Sequence, residues 1–136
     1  MELKFAIEGG DFTRAGYCSS EVKKVLKQLN IPSDLIKKIV VALYESEVNV
    51  VAHAYRGEVA IAVTTESIVC VIKDDGPGIA EIDKAMQPGF STASQAVREM
   101  GFGAGMGLPN IKKNTDRLVI TSEVGKGTRV EFEVIF

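Results

Sequence analysis

In the helical stretch LYESEVNVVAHAY, Glu45 and Asn49 stand four residues apart, hence on nearly one face, with His53 four further on. Asn is a poor mid-helix residue, and an ionised carboxylate is costly in a buried helix unless something compensates it. A magnesium ion would do so, since hard cations take oxygen ligands and Mg²⁺ keeps several waters beside one or two protein ligands and phosphates. Asn49 would supply a neutral amide oxygen as the metal ligand. Glu45, one turn away, could orient or deprotonate a water or hydroxyl attacking a terminal phosphate. The competing reading has both residues hydrogen-bonded to neighbouring backbone or turned to solvent. For Glu47 and His53 that structural role is the stronger reading, a histidine near a helix end being more often a cap or a satisfied core group.

Three glycine-bearing segments share the chain with this helix. GFGAGMGLPNIK, residues 101–112, is no Walker A loop, because Gly107 is followed by Leu108 rather than by Lys and Ser or Thr. It is no dinucleotide fingerprint either: the glycine stagger is wrong and the next strand belongs to an antiparallel hairpin. What remains is a backbone that a ligand can approach closely, opening into a helix whose free N–H groups favour an anion. A lid hinge or a tight packing site fits the run equally well. KDDGPGI ends a strand with two carboxylates, and Asp74 could accept from an exocyclic amine such as that of adenine, with Gly76 and Gly78 shaping the approach. By composition it is equally a β-turn. GKGT, residues 125–128, is also a turn by default, although Thr128 could add a hydroxyl to the same pocket.

The elements that must hold these residues follow from hydrophobic period. Residues 2–8 alternate as a half-buried strand, with a turn at Gly9 and Gly10, and residues 13–29 read as a helix. A second helix, apolar around much of its circumference and largely buried, begins with Ser33 as N-cap and runs to Tyr55, with Gly57 closing it. EVAIAVTTE and SIVCVIKDD form a hairpin; a short helix at 80–86 and a polar lid follow. A helix with Pro109 in its first turn leads to the hairpin RLVITSEV–GKG–TRVEFEVIF. Strands in adjacent pairs with helices between them predict an α/β (α+β) two-layer sandwich: a mixed, mostly antiparallel sheet with helices on one face.

The 136 residues suit one domain spanning 1–136. A net charge of −2 with no basic stripe argues against nucleic acid as a partner. No apolar run reaches the length of a signal peptide or a membrane span, so the expected location is the cytoplasm, with no membrane partner. Cys18 and Cys70 lack metal-site spacing and read as packing residues.

The ordered set ExxxN (Glu45, Asn49), DxGPG (Asp74 to Gly78), GxGL at a helix start (Gly105 to Leu108) and GT before the last strand (Gly127, Thr128) resembles the Bergerat-fold or GHKL ATPases. Within that group, NVVAHAY and the run from DDGPGI to SEVGKGT resemble the anti-sigma-factor serine/threonine kinases, most of all the stressosome switch kinases. The resemblance covers nearly the whole chain. It implies ATP and Mg²⁺ held between the helices and a lid at about 86–104, over the sheet. Glu45 would be the catalytic base and Asn49 the magnesium ligand; Asp74, Gly76, Gly78 and Thr128 would form the adenine end. Gly103, Gly105, Gly107 and Leu108 would make the phosphate-side contacts. Residues 93–102 depart from the pattern by lengthening the lid, which leaves open a role for Arg98 at the γ-phosphate.

The function implied is transfer of the γ-phosphoryl of ATP to a STAS-domain antagonist in a partner-switching pathway, with a sigma factor, a phosphatase or a second copy of the chain as further partners. A nucleotide-gated binding module with little transfer, and a histidine-kinase-like domain acting in trans, are the alternatives.

Overall fold

The computed structural model describes residues 1–79, 82, 86, 87 and 107–136. They form β1 (Glu2–Glu8), a 3-10 turn (Phe12–Arg14), α1 (Tyr17–Gln28), α2 (Ser33–His53), β2 (Arg56–Val63), β3 (Ser67–Asp75), α3 (Gly107–Lys113), β4 (Arg117–Glu123) and β5 (Gly127–Ile135). The sheet has the order β1-β2-β3-β5-β4, and each pairing is antiparallel. That is the two-layer sandwich expected, at the antiparallel end of the expected range.

Register turns the alternation of each strand into rows across the sheet. Phe5, Val59, Ile72, Val130 and Ile120 face one another in one row; Leu3, Ile61, Cys70, Phe132 and Leu118 form the next. Helix α2 lies on this face, contacting β1, β2, β3 and β5, with α1 and α3 packed against it. Its apolar arc of Ile36, Ile39, Leu43 and Val50 is almost fully buried, so packing rather than intrinsic propensity holds the helix. Cys18 and Cys70 are both buried in this core and free, as expected of packing residues.

Several boundaries differ from those the sequence predicts. The first helix is split: a 3-10 turn precedes Gly16, whose φ of 94° lies in the left-handed region that favours glycine, and α1 starts only at Tyr17. The cause is Glu47. Its carboxylate, 2 % exposed, accepts from the backbone N–H groups of Gly16 (3.0 Å), Cys18 (3.1 Å) and Ser19 (3.2 Å), filling the unpaired donors of a helix start from a neighbouring helix. This is the structural role expected of Glu47.

Ser33 is the first residue of α2 rather than its cap. Pro32 holds the cap position at φ −54° and ψ 141°, and its carbonyl accepts from Leu35 and Ile36. The same helix ends at His53 instead of Tyr55, because Tyr55 N–H donates to the Asp75 carbonyl and its own carbonyl accepts from Gly9, which commits the chain to the sheet. Gly57 therefore lies inside β2. A β-carbon there would stand 2.8 Å from Val50 Cγ1, so the missing side chain lets α2 sit close on the strand.

Candidate functional site

The third row of the sheet is where the apolar series fails. Ile7 faces Gly57, Gly57 faces Asp74, and Thr128 faces Ser122, so a polar row occupies the β3, β5 and β4 end of the helix-covered side. Asp74 continues the inward series of Ile68, Cys70 and Ile72, Thr128 that of Val130, Phe132 and Val134, and Ser122 that of Leu118 and Ile120. Asp74 Oδ1 accepts from Thr128 N–H at 3.1 Å, and its Oδ2 has no hydrogen-bond partner among the described residues. Burial pushes the Asp74 carboxyl above its ordinary value and Asp75 adds to the rise, against the opposing effect of the Thr128 N–H. Such a carboxylate is suited to an uncharged donor with N–H groups to share.

The glycines expected beside it are placed where a side chain would not fit. Gly78 has φ 75°, and a β-carbon there would collide with the Glu123 carbonyl. It docks the DDGPG segment on the β4–β5 turn, where Gly125 N–H donates to the Pro77 carbonyl at 2.8 Å. Gly76 is buried against Ala54, just past the end of α2.

The helix side of the site is set by α3 running antiparallel to α2. A β-carbon on Gly107 would stand 3.0 Å from Asn49 Oδ1, so the start of α3 sits directly against that amide. One turn along, Asn110 Nδ2 approaches Glu45 Oε1 at 3.4 Å. Neither Glu45 nor Asn49 spends its side chain on neighbouring backbone among the described residues, unlike Glu47. Leu108 is buried beneath α3 and Pro109 lies in its first turn. His53, the last residue of α2, is half-buried, and burial holds its imidazole below the ordinary value. Gly103, Gly105, Arg98 and the lid at 86–104, Met86 and Gln87 apart, lie outside the described residues, as does most of the short helix at 80–86.

The donor set can be tested against the cation the motif implies. No group of three or more His, Cys, Asp or Glu able to hold a metal occurs among the described residues. Asn49 instead offers a single amide oxygen beside a residue with no side chain. That suits a small hard cation arriving with most of its oxygen shell as water and phosphate, and does not suit an all-protein cage.

Two residues at the site were not singled out from the sequence. Ser122 accepts from Ile79 N–H (2.7 Å), donates to the Gly127 carbonyl (2.9 Å) and lies 2.9 Å from Thr128 Oγ1. The signal was its place on the inward side of β4. Asn110 could have been found from its spacing, three residues after Gly107 on a helix facing the ExxxN turn.

A sandwich with a carboxylate at a strand end, a Glu and Asn pair on the covering helix and a glycine at the start of a second helix is the arrangement that the resemblance to the GHKL ATPases implies. Matched over residues 13–134 by the family of histidine kinase-like ATPase domains, the chain belongs to that family. Among its curated relatives, an anti-sigma F factor from Geobacillus thermodenitrificans is 34 % identical over 138 residues, covering 96 % of this chain and 88 % of the relative. One from Caldanaerobacter subterraneus is 31 % identical, covering 96 % and 89 %. The serine/threonine-protein kinase RsbT of Bacillus subtilis is 29 % identical, covering 80 % and 79 %. These relatives agree with the resemblance to anti-sigma kinases read from the motifs. In fold, the chain is similar to one in the SiaB-SiaC complex of Pseudomonas aeruginosa, at a TM-score of 0.60 and 14 % identity over 98 % of this chain and 89 % of the other.

Proposed function

We propose that this protein is an ATP-dependent serine/threonine protein kinase of the anti-sigma regulatory type, whose phosphoacceptor is a STAS-domain antagonist in a partner-switching pathway. The observation that carries this reading is the meeting of Glu45 and Asn49 with the first turn of α3, on the same side of the sheet as the polar row at the end of β3 and the start of β5.

ATP would lie with its adenine toward Asp74, its exocyclic amine donating to that carboxylate, and its phosphates toward Gly107. Gly76 and Gly78 would shape the base wall, and Gly103, Gly105 and Leu108 would complete the phosphate side. Asn49 would hold Mg²⁺, which when bound neutralises charge on the phosphates. Glu45 removes the proton of the acceptor hydroxyl as that oxygen bonds to the γ-phosphorus. The bond from phosphorus to the β,γ-bridging oxygen breaks, and ADP leaves with the electron pair. The products are ADP and a phosphoserine or phosphothreonine, which adds about two negative charges to the partner and can switch an interface. Such a kinase works in the cytoplasm, where ATP and a sigma factor are both present.

The test is incubation with γ-labelled ATP and candidate STAS-domain proteins. Label on the partner that survives acid and is lost in alkali is expected. Acid-labile label would mark phosphohistidine and favour the histidine-kinase-like alternative. Saturable ATP binding with no labelled partner would favour the nucleotide-gated binding module, which the relatives named anti-sigma F factors also support.

A further inference from the structure

The hydrogen bonds around Ser122 fix where its proton goes. A hydroxyl has one hydrogen to donate and two lone pairs to accept with. The Gly127 carbonyl can only accept, so the Ser122 hydrogen is spent there at 2.9 Å. One lone pair takes the Ile79 N–H at 2.7 Å. The remaining neighbour, Thr128 Oγ1 at 2.9 Å, finds Ser122 with a lone pair and no hydrogen, so Thr128 must donate. Its own hydrogen is thereby turned away from the pocket, and what Thr128 presents on the inward side of β5 is lone pairs alone. Asp74 beside it, tied through Oδ1 to Thr128 N–H, also presents only an acceptor.

We propose that Ser122 is a specificity-determining positioning residue: it orients the Thr128 hydroxyl as an acceptor, so that the base end selects a nucleobase carrying an amine over one carrying a carbonyl oxygen at the same position. This rests on the adenine end being formed by Asp74 and Thr128, as proposed above. With two acceptors side by side, an amine finds partners for its hydrogens, whereas a carbonyl oxygen meets lone pairs and leaves both half-buried acceptors unpaired beneath the base. Ser122 touches no base itself; it acts through Thr128.

ITP is the discriminating probe, because hypoxanthine replaces the exocyclic amine of adenine with a carbonyl oxygen and carries a hydrogen on N1. Affinities for ATP and ITP are measured on the intact protein by calorimetric titration, and the ratio Kd(ITP)/Kd(ATP) is the readout. Ser122→Ala frees the Thr128 hydroxyl to rotate and donate to the carbonyl oxygen, so the ratio is expected to fall by roughly tenfold, the worth of about one hydrogen bond. A purely structural role would weaken both nucleotides together and leave the ratio unchanged, which would overturn the proposal. Thr128→Val keeps the shape of the strand and the bonds of Ser122 to Ile79 and Gly127; it should lower the ratio to a similar extent, and the double variant should lower it no further. An additive double variant would also count against the coupling. A wild-type protein that binds ATP and ITP equally would refute the placement of the base end itself, a failure distinct from that of Ser122.

Discussion

Asn49 and Gly107, 58 residues apart in sequence, are in direct apposition: a β-carbon on the glycine would stand 3.0 Å from Asn49 Oδ1 and 3.3 Å from Nδ2. The contact joins the middle of the chain to its last third at the point where a phosphate and its cation would sit. A side chain at 107 would press on the Asn49 amide, which would have to shift by a few tenths of an ångström from where a ligand would meet it.

Gly107→Ala should therefore weaken nucleotide binding in the presence of Mg²⁺ by at least tenfold, with little effect on the melting temperature. Asn49→Ala should do the same and abolish the difference between titrations run with Mg²⁺ and with EDTA. Unaltered Mg²⁺ dependence in Asn49→Ala would remove it as the cation ligand.

Glu47 has a different task although it shares the helix. With three N–H groups gathered on one buried carboxylate, Glu47→Ala leaves unpaired donors at the start of α1 and should cost about 3 kcal/mol of stability. A loss of roughly 10 °C in Tm is the corresponding shift. Thermal unfolding followed by circular dichroism checks it, and a change below 2 °C, on the order of what ~0.5 kcal/mol gives, would contradict the capping role.

The pattern in sequence separated these two glutamates only in part. Asp74, Gly107 and Thr128, each open to a turn or hinge reading by composition, stood out only through the ordered motif set, whereas Glu45 and Asn49 were legible because helical periodicity fixes their common face. The strands were legible for the same reason, and their register carried Asp74, Thr128 and Ser122 into one row. The split at Gly16 was not, since its cause is a carboxylate 31 residues away that no local propensity reveals. The premature end of α2 likewise depends on hydrogen bonds of Tyr55 to Gly9 and Asp75, on different strands' ends. Ser122 was missed because a serine in a strand is unremarked until its neighbours across the sheet are known.

His53 gives stability a pH dependence of definite sign. Burial lowers its folded-state pKa below the ordinary 6.5, so the unfolded chain binds the proton more readily. The contribution to stability is complete above the unfolded value and is lost as pH falls through the folded one. Denaturant titrations across this window should show stability declining on acidification, and His53→Gln should flatten the decline. An equal slope in the variant would assign the effect to another group.

Neither cysteine should react in the native protein. Burial, followed by the Glu47 carboxylate, pushes the Cys18 thiol up to about 12, and burial, followed by Cys18, holds Cys70 above its ordinary value. At pH 8 a thiol reagent should label neither within minutes and both after denaturation; prompt labelling of the folded protein would show that the α1–β3 core is open.

The most direct measurement compares Glu45→Ala with the wild type in two assays on the same preparation, MgATP affinity and phosphoryl transfer to the proposed STAS-domain acceptor. Glu45 sits one turn from Asn49 with Asn110 Nδ2 3.4 Å from its carboxylate, and the proposed role is to take the acceptor's proton rather than to grip nucleotide. ATP affinity is expected to stay within about threefold, below ~1 kcal/mol, while transfer falls by at least 100-fold, the scale of a lost general base. Transfer at the wild-type rate with ATP still bound would contradict the assignment of this helix as the catalytic element.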